Sequence, residues 1–450
     1  MNPQTPMTLE QKRARARALL QQAQASESAQ PYTRKSYDMF MSSSSAAPVE
    51  AEHFDRWIHS VKADDAYSFE APRQGIQGPK IQVRRGEQLL SCVNFSSYNY
   101  LGYAHHPEVI AAAKDALDTY GLGAASSPIA GGTFELHTQL EAELLDFFDL
   151  PDRGIALFSS GYAVNTGTVS AFLKEGHVCV LDRSAHMSLL EGAQLSRAQL
   201  RYFRHNDPAD LERVLASIEG DTRVLVCVEG VYSAEGDFGR LKELVAVAKA
   251  HGAFILVDEA HSMLVAGERG RGVCEAQGVL DDVDMIVFTF SKAFGGIGGG
   301  VLARRNIAQY IRWYARCRMF SCALDPAVTG GVLRALQLAR TPEGAQRRAQ
   351  LIRNADYLRG LLRDQLHLGP SESWIVPVVY GADRLTIPLQ DHLQREGFEG
   401  SLMQFPAVAK GEARIRLFVT SEHDNTQIER AAAMLIRAAR QFGFLGGRAR

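Results

Sequence analysis

Residues 254–300 decide the fold of this chain. They begin FILVDEAHSMLVAGERGRG, continue VCEAQGVLDDV and end DMIVFTFSKAFGGIGGG. Phe254–Val257 and Met285–Phe290 are short apolar runs rich in β-branched and aromatic residues, a pattern typical of buried parallel strands. The stretch therefore predicts two strands at the centre of an α/β sheet.

Three polar side chains follow these strands. Asp258 comes directly after the first strand, His261 three residues later, and Lys292 just after the second. Because ligands bind outside the carboxyl ends of strands in open α/β sheets, these groups are expected at one edge. The glycine-rich GGIGGG that follows Lys292 predicts a loop whose backbone approaches a ligand closely.

An amine and a carboxylate at one sheet edge suit pyridoxal phosphate. A lysine can form a Schiff base with an aldehyde cofactor. A carboxylate facing a pyridine nitrogen keeps that nitrogen protonated, so that the ring withdraws electrons from a bound amino acid. The alternative is that VDEAH is a helicase-type nucleotide-hydrolysis motif. That alternative needs a GxxxxGK[ST] phosphate loop, which the chain lacks.

Composition narrows the class of protein. The chain has 450 residues, 46% of them hydrophobic, and its length predicts two domains. Its net charge of −2 excludes a protein that recruits nucleic acid through an overall positive charge. The six cysteines form no CxxC pair and no metal-ligand spacing, so we expect reduced thiols in the cytoplasm and no metal site. No apolar run could span a bilayer, although peripheral membrane contact is left open.

The pattern along the chain predicts four segments. A flexible leader, with a helix near its start and the low-complexity SSSSAAPVE, precedes a docking segment that opens with an amphipathic helix. Strands then alternate with crossover helices, which predicts a large domain with a mainly parallel sheet, and a smaller α+β domain follows. The predicted segments are 1–50, 51–105, 106–340 and 341–450. The predicted strands of the large sheet are Ile155–Phe158, Val178–Leu181, Arg223–Val228 and the two named above.

Other strand ends carry candidate ligand groups. FSSGYAVN places Ser160 at a helix N-terminus, where backbone N–H groups suit a phosphate. LDRSAHMS puts His186 at a strand exit, where an imidazole can stack on a cofactor ring or simply cap a helix. Ser233 follows another strand. In ARIRLFVT, Arg414 and Arg416 alternate on a strand, and an arginine fork suits a carboxylate.

With these motifs assembled, the chain resembles the α-oxoamine synthases, which are fold-type I pyridoxal phosphate enzymes. The resemblance covers roughly residues 90–440. It is carried in order by NFSSYNYLG, YGLGAASSP, GGTFELHTQLE, SSGY, DRSAHMSLLEGA, EGVYSAEGD, VDEAHS, TFSKAFGG and ARIRL. It implies an acyltransferase that condenses a small amino acid with an acyl thioester, on CoA or on a carrier protein, with loss of carbon dioxide.

The resemblance also implies individual roles. Lys292 would form the Schiff base, Asp258 would pair with the ring nitrogen, His261 would bind the phenolic oxygen and His186 would stack on the ring. Further contacts to the cofactor are implied for Ser160, Gly161, Tyr162, Ser233, Thr289, Ser291 and Ser321. Contacts to the substrate are implied for Tyr98, Asn99, His137 and Arg416. The family forms dimers with shared sites, which predicts that the segment MFSCALDPA reaches a neighbouring subunit.

Three positions depart from the common family pattern. Tyr98-Asn99 replaces Asn-Asn or Asn-Asp and is similar to the serine palmitoyltransferase branch, which favours serine as the amino acid, with alanine or glycine next. Pro128 replaces an arginine, and Cys322 replaces a threonine, leaving Ser321 as the substitute. The acyl chain length stays open.

Two further questions stay open at this point. Arg305, Arg312 and Arg316 have helical spacing and suggest a basic face for the acyl donor, although a solvated face is the favoured interpretation. Another fold-type I enzyme, such as an aminotransferase or aldolase, is an alternative. A non-catalytic partner subunit is a further alternative, against which Lys292 argues.

Overall fold

A seven-stranded sheet lies at the centre of the computed structural model, which describes residues 47–63, 67–405 and 407–444. Its strand order is β4-β10-β9-β8-β7-β5-β6. Strands β9, β8, β7, β5 and β6 are parallel, whereas β10 runs antiparallel to both of its neighbours. The predicted mainly parallel α/β architecture is confirmed. The strands are β4 Arg153–Phe158, β5 Val178–Asp182, β6 Gln199–Phe203, β7 Val224–Glu229, β8 Phe254–Asp258, β9 Met285–Thr289 and β10 Gly299–Arg304.

Two smaller sheets accompany the large one. The N-terminal sheet has the order β1-β2-β3-β12, and the C-terminal sheet has the order β11-β14-β13. Since β12 pairs with β3 in parallel, the N-terminal segment is joined to the C-terminal part of the chain. The strands are β1 Arg73–Gln74, β2 Lys80–Arg85, β3 Gln88–Asn94, β11 Ile375–Gly381, β12 Phe398–Glu399, β13 Ser401–Met403 and β14 Ala413–Phe418.

Helices cover both faces of the large sheet. Alternate residues of its strands enter two separate hydrophobic cores, as shown by Val226 and Val228 on one face and Leu225 and Cys227 on the other. The helices are α1 Ala47–Ala63, α2 Pro107–Tyr120, α3 Glu135–Phe148, α4 Gly161–Phe172, α5 Met187–Ser196, α6 Pro208–Ala216, α7 Leu241–Ala250, α8 Val273–Ala276, α9 Arg305–Tyr314, α10 Arg316–Met319, α11 Pro326–Ala339, α12 Pro342–Leu362, α13 Asp383–Arg395 and α14 Asn425–Gln441. No helix in the described ranges is both long and apolar enough to cross a bilayer.

The N-terminal prediction needs one adjustment. Residues 1–46, which hold the predicted leader with its helix and most of the low-complexity linker, lie outside the described residues. Residues 47–50 belong to helix α1 and not to the linker. Trp57 of this helix is buried against Ile387 of α13, so the amphipathic helix docks on the body of the protein.

The predicted glycine loop is partly wrong. Gly299 and Gly300 are the first residues of β10, where a Cβ at Gly299 would overlap the Phe288 carbonyl. Gly295 has φ +75° and packs on the Ala104 backbone, so these glycines serve close packing within the chain. Gly296 lines a cavity described below, but a Cβ at this position would lie 2.7 Å from the Val332 side chain, so Gly296 also serves close packing.

Candidate active site

A cavity of about 260 Å³ opens where β7, β8 and β9 end. Asp258 and Thr289 are the last residues of β8 and β9, and Lys292 follows three residues after β9. The parallel register of the strands brings these ends together. The predicted residues that line this cavity are Ser160, Gly161, Tyr162, His186, Asp258, His261, Thr289, Ser291 and Lys292.

The side-chain amine of Lys292 is the nucleophile of this site. Burial lowers the pKa of its amine to about 8, even though Asp258 and Glu229 act to raise that pKa. At pH 7 about a tenth of the amine is therefore uncharged, against less than one part in a thousand for an ordinary lysine. The uncharged amine is the form that attacks a carbonyl carbon.

This lowered pKa predicts a pH dependence. When pyridoxal phosphate is added to the cofactor-free protein, the rate at which its visible band appears should rise with pH and level off above about pH 8. The uncharged amine reacts, so the rise follows the pKa of Lys292 and not that of an ordinary lysine, near 10.4. Stopped-flow absorbance from pH 6 to 10 measures it. A rate that keeps rising through pH 10 would contradict the burial of this amine.

A hydrogen-bonded chain joins Asp258 to His186. The Asn165 side-chain amide donates to the Asp258 carboxylate over 2.6 Å and to the Ser188 hydroxyl over 2.9 Å. The Ser188 hydroxyl also lies 2.7 Å from Nδ1 of His186. The Ala260 N–H donates to the other Asp258 oxygen over 2.9 Å. Since both carboxylate oxygens are held, the orientation of Asp258 is determined before any ligand binds.

Two residues of this region were missed by the sequence analysis as site residues. Asn165 lies in helix α4, and nothing in the sequence signals its bond to a residue 93 positions away. Glu229 ends β7, accepts a hydrogen bond from the His186 N–H over 2.6 Å and lines the cavity. Burial, with Asp258 as a second cause, raises the pKa of Glu229 well above its ordinary value. Burial therefore favours the protonated form of the Glu229 carboxyl.

His261 is anchored by Tyr100. Its Nδ1 lies 2.7 Å from the buried Tyr100 hydroxyl. Burial, followed by the charge of Lys292, lowers the pKa of His261 well below its ordinary value, so the ring is neutral. With the Tyr100 hydroxyl donating to Nδ1, Nε2 carries the remaining ring proton. In that tautomer His261 is a hydrogen-bond donor suited to a phenolic oxygen.

Another part of the cavity lining suits a phosphate. Ser160 is the N-cap of helix α4, and its oxygen accepts from the Ala163 N–H over 3.1 Å, which leaves the hydroxyl proton available. A Cβ at Gly161 would lie 2.5 Å from the Thr289 hydroxyl, so only glycine fits there. The Thr289 hydroxyl itself lies 3.0 Å from the Gly298 carbonyl, which it can use as an acceptor. Ser291 is the more available hydroxyl.

The donor set fits pyridoxal phosphate. Lys292 would hold its aldehyde carbon, Asp258 its ring nitrogen, His261 its phenolic oxygen, and the start of helix α4 with Ser160 its phosphate. These groups line the walls of a single cavity, and the carboxylate and the imidazole are already oriented by Asn165 and Tyr100.

A second cavity, of about 460 Å³, meets the first at Ser291 and Lys292. Tyr98 and Asn99 line it, and Nζ of Lys292 lies 5.9 Å from the centre of the Tyr98 ring. The side-chain amide of Asn99 is held by the Gln77 carbonyl and the Ala104 N–H. The Tyr98 side chain is therefore the better placed of the two to reach a substrate.

Four predicted residues lie outside both cavities. The Arg416 guanidinium is buried between the Ser233 carbonyl, at 2.9 Å, and the Ser401 hydroxyl, at 3.2 Å, and its Nε has no hydrogen-bond partner among the described residues. Ser233 thus contacts Arg416 through its backbone. The Ser321 hydroxyl lies 3.4 Å from that of Ser159.

His137 is the fourth of these residues. It is buried, its Nδ1 accepts from the Phe134 N–H over 2.9 Å, and its Nε2 lies 2.7 Å from the Leu324 carbonyl. The structure does not bring His137 to the other predicted residues of this chain.

The basic face is smaller than the sequence suggested. Arg312 donates to the Ile155 carbonyl over 2.9 Å and pairs with Glu141, so its charge is engaged within the chain. Arg316 lines a separate surface groove. A contact between Arg316 and an acyl donor stays a prediction.

The chain is similar to known proteins over most of its length. The model of the aminotransferase class I and II family matches residues 91–435. The chain is 37% identical to 8-amino-7-oxononanoate synthase of Geobacter sulfurreducens over 372 residues, covering 82% of this chain and 94% of that protein. It is 35% identical to serine palmitoyltransferase of Sphingomonas paucimobilis over 374 residues, covering 82% and 87% of the two chains.

Solved structures are similar over the same region. The structure of a serine palmitoyltransferase variant from S. paucimobilis with a bound PLP–myriocin aldimine superposes with a TM-score of 0.82 at 33% identity. The similarity covers 88% of this chain and 99% of that one. Serine palmitoyltransferase of Sphingomonas wittichii gives a TM-score of 0.81 at 32% identity.

Proposed function

The chain belongs to the aminotransferase class I and II family, and from this premise we propose that it joins a small L-amino acid to an acyl thioester. It is a pyridoxal phosphate-dependent acyltransferase of the α-oxoamine synthase type. The products are an α-amino ketone, carbon dioxide and the free thiol. The observation that carries this proposal is the meeting of the two cavities at Lys292, since one suits the cofactor and the other leaves room for a second substrate.

The roles of the side chains follow from their geometry. When bound, pyridoxal phosphate withdraws electrons from the substrate's α-carbon. Asp258, fixed by Asn165, would keep the ring nitrogen protonated, and the neutral His261 would donate a ring N–H to the phenolic oxygen. The Lys292 amine would take the α-proton of the amino acid, because its pKa of about 8 suits a general base near neutral pH.

Arg416 and Tyr98 are the proposed contacts to the substrate carboxylate. Burial lowers the pKa of Arg416, and Tyr98 is among the groups that raise it again. The Arg416 guanidinium lies directly behind the second cavity, because the Ser401 hydroxyl that accepts from it over 3.2 Å lines that cavity. Tyr98 supports serine as the preferred amino acid, with alanine or glycine next.

A substrate titration tests this part of the proposal. Serine, alanine, glycine and threonine are added in turn to the cofactor-loaded protein, and its visible absorbance is followed. We expect one of them, serine first, to give a saturable change. A cofactor band that responds to none of the four would contradict the proposed small-amino-acid substrate.

Replacing Tyr98 by phenylalanine should weaken binding of that amino acid by about tenfold, the order expected for one hydrogen bond to a charged group. The same titration measures the dissociation constant. Ethanolamine, which has the amine but no carboxylate, should bind as it does to the unchanged protein. Tyr202→Phe, on the edge strand β6, is the matched control. Equal weakening of ethanolamine would remove Tyr98 from the carboxylate site.

We further propose a homodimer with shared sites that works in the cytoplasm. Ile297 lines the cofactor cavity yet is 51% exposed, and Met187 and Phe320 near the site are 54% and 81% exposed. Large apolar side chains at the mouth of a site support a covering subunit. The six cysteines, without metal-ligand spacing, support a reducing compartment.

A further inference from the structure

The turn over residues 232–237, which follows strand β7, contacts strand β14 through hydrogen bonds from Arg414 and Arg416 to its backbone carbonyls. It is closed by hydrogen bonds between Tyr232 and Asp237 and between Gly236 and Tyr232. The Ser233 carbonyl accepts from Arg416 over 2.9 Å. The orientation of the Arg416 guanidinium therefore depends on where this turn lies.

His205 holds this turn from the other side. Its Nδ1 lies 2.9 Å from Asp182, which ends β5, and its Nε2 lies 3.1 Å from Asp237 of the turn. Asp182 also accepts from the Tyr232 hydroxyl over 2.9 Å. Burial lowers the pKa of His205, but hydrogen bonds to Asp182 and Asp237 outweigh burial and raise the pKa to about 10. Both ring nitrogens therefore donate, one to each carboxylate.

We propose that His205, as an imidazolium between Asp182 and Asp237, is a positioning residue that fixes the turn and, through the Ser233 carbonyl, aims Arg416 at the substrate carboxylate. This inference rests on the proposed role of Arg416. His205 lines neither the cofactor cavity nor the second cavity, yet it should affect the affinity for substrates that carry a carboxylate.

A bound cation is the competing explanation. His205, Glu235 and Asp237 offer ligand atoms within 4.8 Å of one another, and one buried oxygen of each carboxylate has no hydrogen-bond partner in the part of the chain that the structure describes. A metal would have to replace a proton on His205, whose nitrogens are both engaged. Arg414 already lies 3.6 Å from Glu235 and supplies positive charge there. The geometry favours the imidazolium.

His205→Gln tests the proposal, because glutamine keeps a polar side chain of similar reach without the charge. The readout is the visible titration of the cofactor-loaded protein with serine and with ethanolamine, which lacks the carboxylate. We expect the dissociation constant of serine to rise about tenfold, the order of coupling within one hydrogen-bonded network. The constant for ethanolamine should not change. In an Arg416→Ala background, His205→Gln should have no further effect on serine.

Several results would overturn the proposal. Equal weakening of the binding of serine and of ethanolamine would show a general structural effect. If His205→Gln weakens serine binding as strongly in the Arg416→Ala background, its effect does not pass through Arg416. Stoichiometric zinc or manganese in the purified protein, lost with chelation together with serine affinity, would establish the cation instead. If His205→Gln does not fold, Tyr232→Phe removes only the bond to Asp182 and should weaken serine selectively in the same direction.

The control for the premise is Arg416→Ala alone. If it leaves the preference for serine over ethanolamine unchanged, the assigned role of Arg416 fails, and the inference about His205 fails with it. If Arg416→Ala removes that preference while both His205→Gln and Tyr232→Phe leave it intact, only the inference about His205 is wrong.

Discussion

Replacing Lys292 by alanine should lower turnover by roughly 10³-fold or more, since the variant loses both the amine that binds the cofactor covalently and the base that takes the α-proton. The cavity should still admit pyridoxal phosphate, because Asp258, His261 and Ser160 remain. The measurement is condensation activity under saturating cofactor and substrates, with the visible spectrum recorded in parallel.

The control for this variant is Lys242→Ala, an exposed lysine on helix α7. It should leave activity and spectrum unchanged. Equal circular dichroism and melting temperature for both variants would show that the fold is intact. Retained condensation activity in Lys292→Ala would contradict the mechanism.

Replacing Asp258 by alanine should lower turnover by roughly 10²–10³-fold, the range seen when one preorganised electrostatic contact is removed. Without the carboxylate, the ring nitrogen loses the partner that keeps it protonated, and the cofactor withdraws electrons less strongly. Asn165 also loses its 2.6 Å hydrogen bond, so cofactor affinity should fall as well.

A cofactor analogue separates the electronic effect from a structural one. Pyridoxal phosphate methylated at its ring nitrogen carries a permanent positive charge, and the shortened side chain of Asp258→Ala leaves room for the methyl group. With the analogue in place of pyridoxal phosphate, the variant should regain part of its lost activity. The unchanged protein should be inactive with the analogue. Failure to restore activity despite tight binding of the analogue would mean that Asp258 acts otherwise than through the charge on the ring.

Elements with a plain local signal were predictable from the sequence. Strands β8 and β9 are continuous apolar runs, and Pro342 marks the break between helices α11 and α12. Strand β6 was missed because four of its five residues are half-buried or exposed, which leaves no apolar run. Strand β10 was missed because it opens with two glycines, which usually weaken a strand but here permit close packing.

The residues of the candidate site also fall into those that a local sequence pattern predicts and those that it does not. Asp258, His261 and Lys292 could be predicted because parallel strands deliver their carboxyl ends to one edge. Their supporting contacts could not, because they join residues far apart in the chain. Asn165 bonds Asp258 across 93 positions, and Tyr100 bonds His261 across 161. No local pattern encodes such pairs.

Carbon dioxide and thiol release test the central claim most directly. The cofactor-loaded protein is given the amino acid that responds in the titration, labelled in its carboxyl carbon, together with a series of acyl-CoA thioesters, and both products are quantified. We predict equimolar labelled carbon dioxide and free thiol, and neither product when one substrate is omitted. Carbon dioxide without a thioester, or a keto acid formed without release of either product, would contradict the assignment as an amino acid acyltransferase.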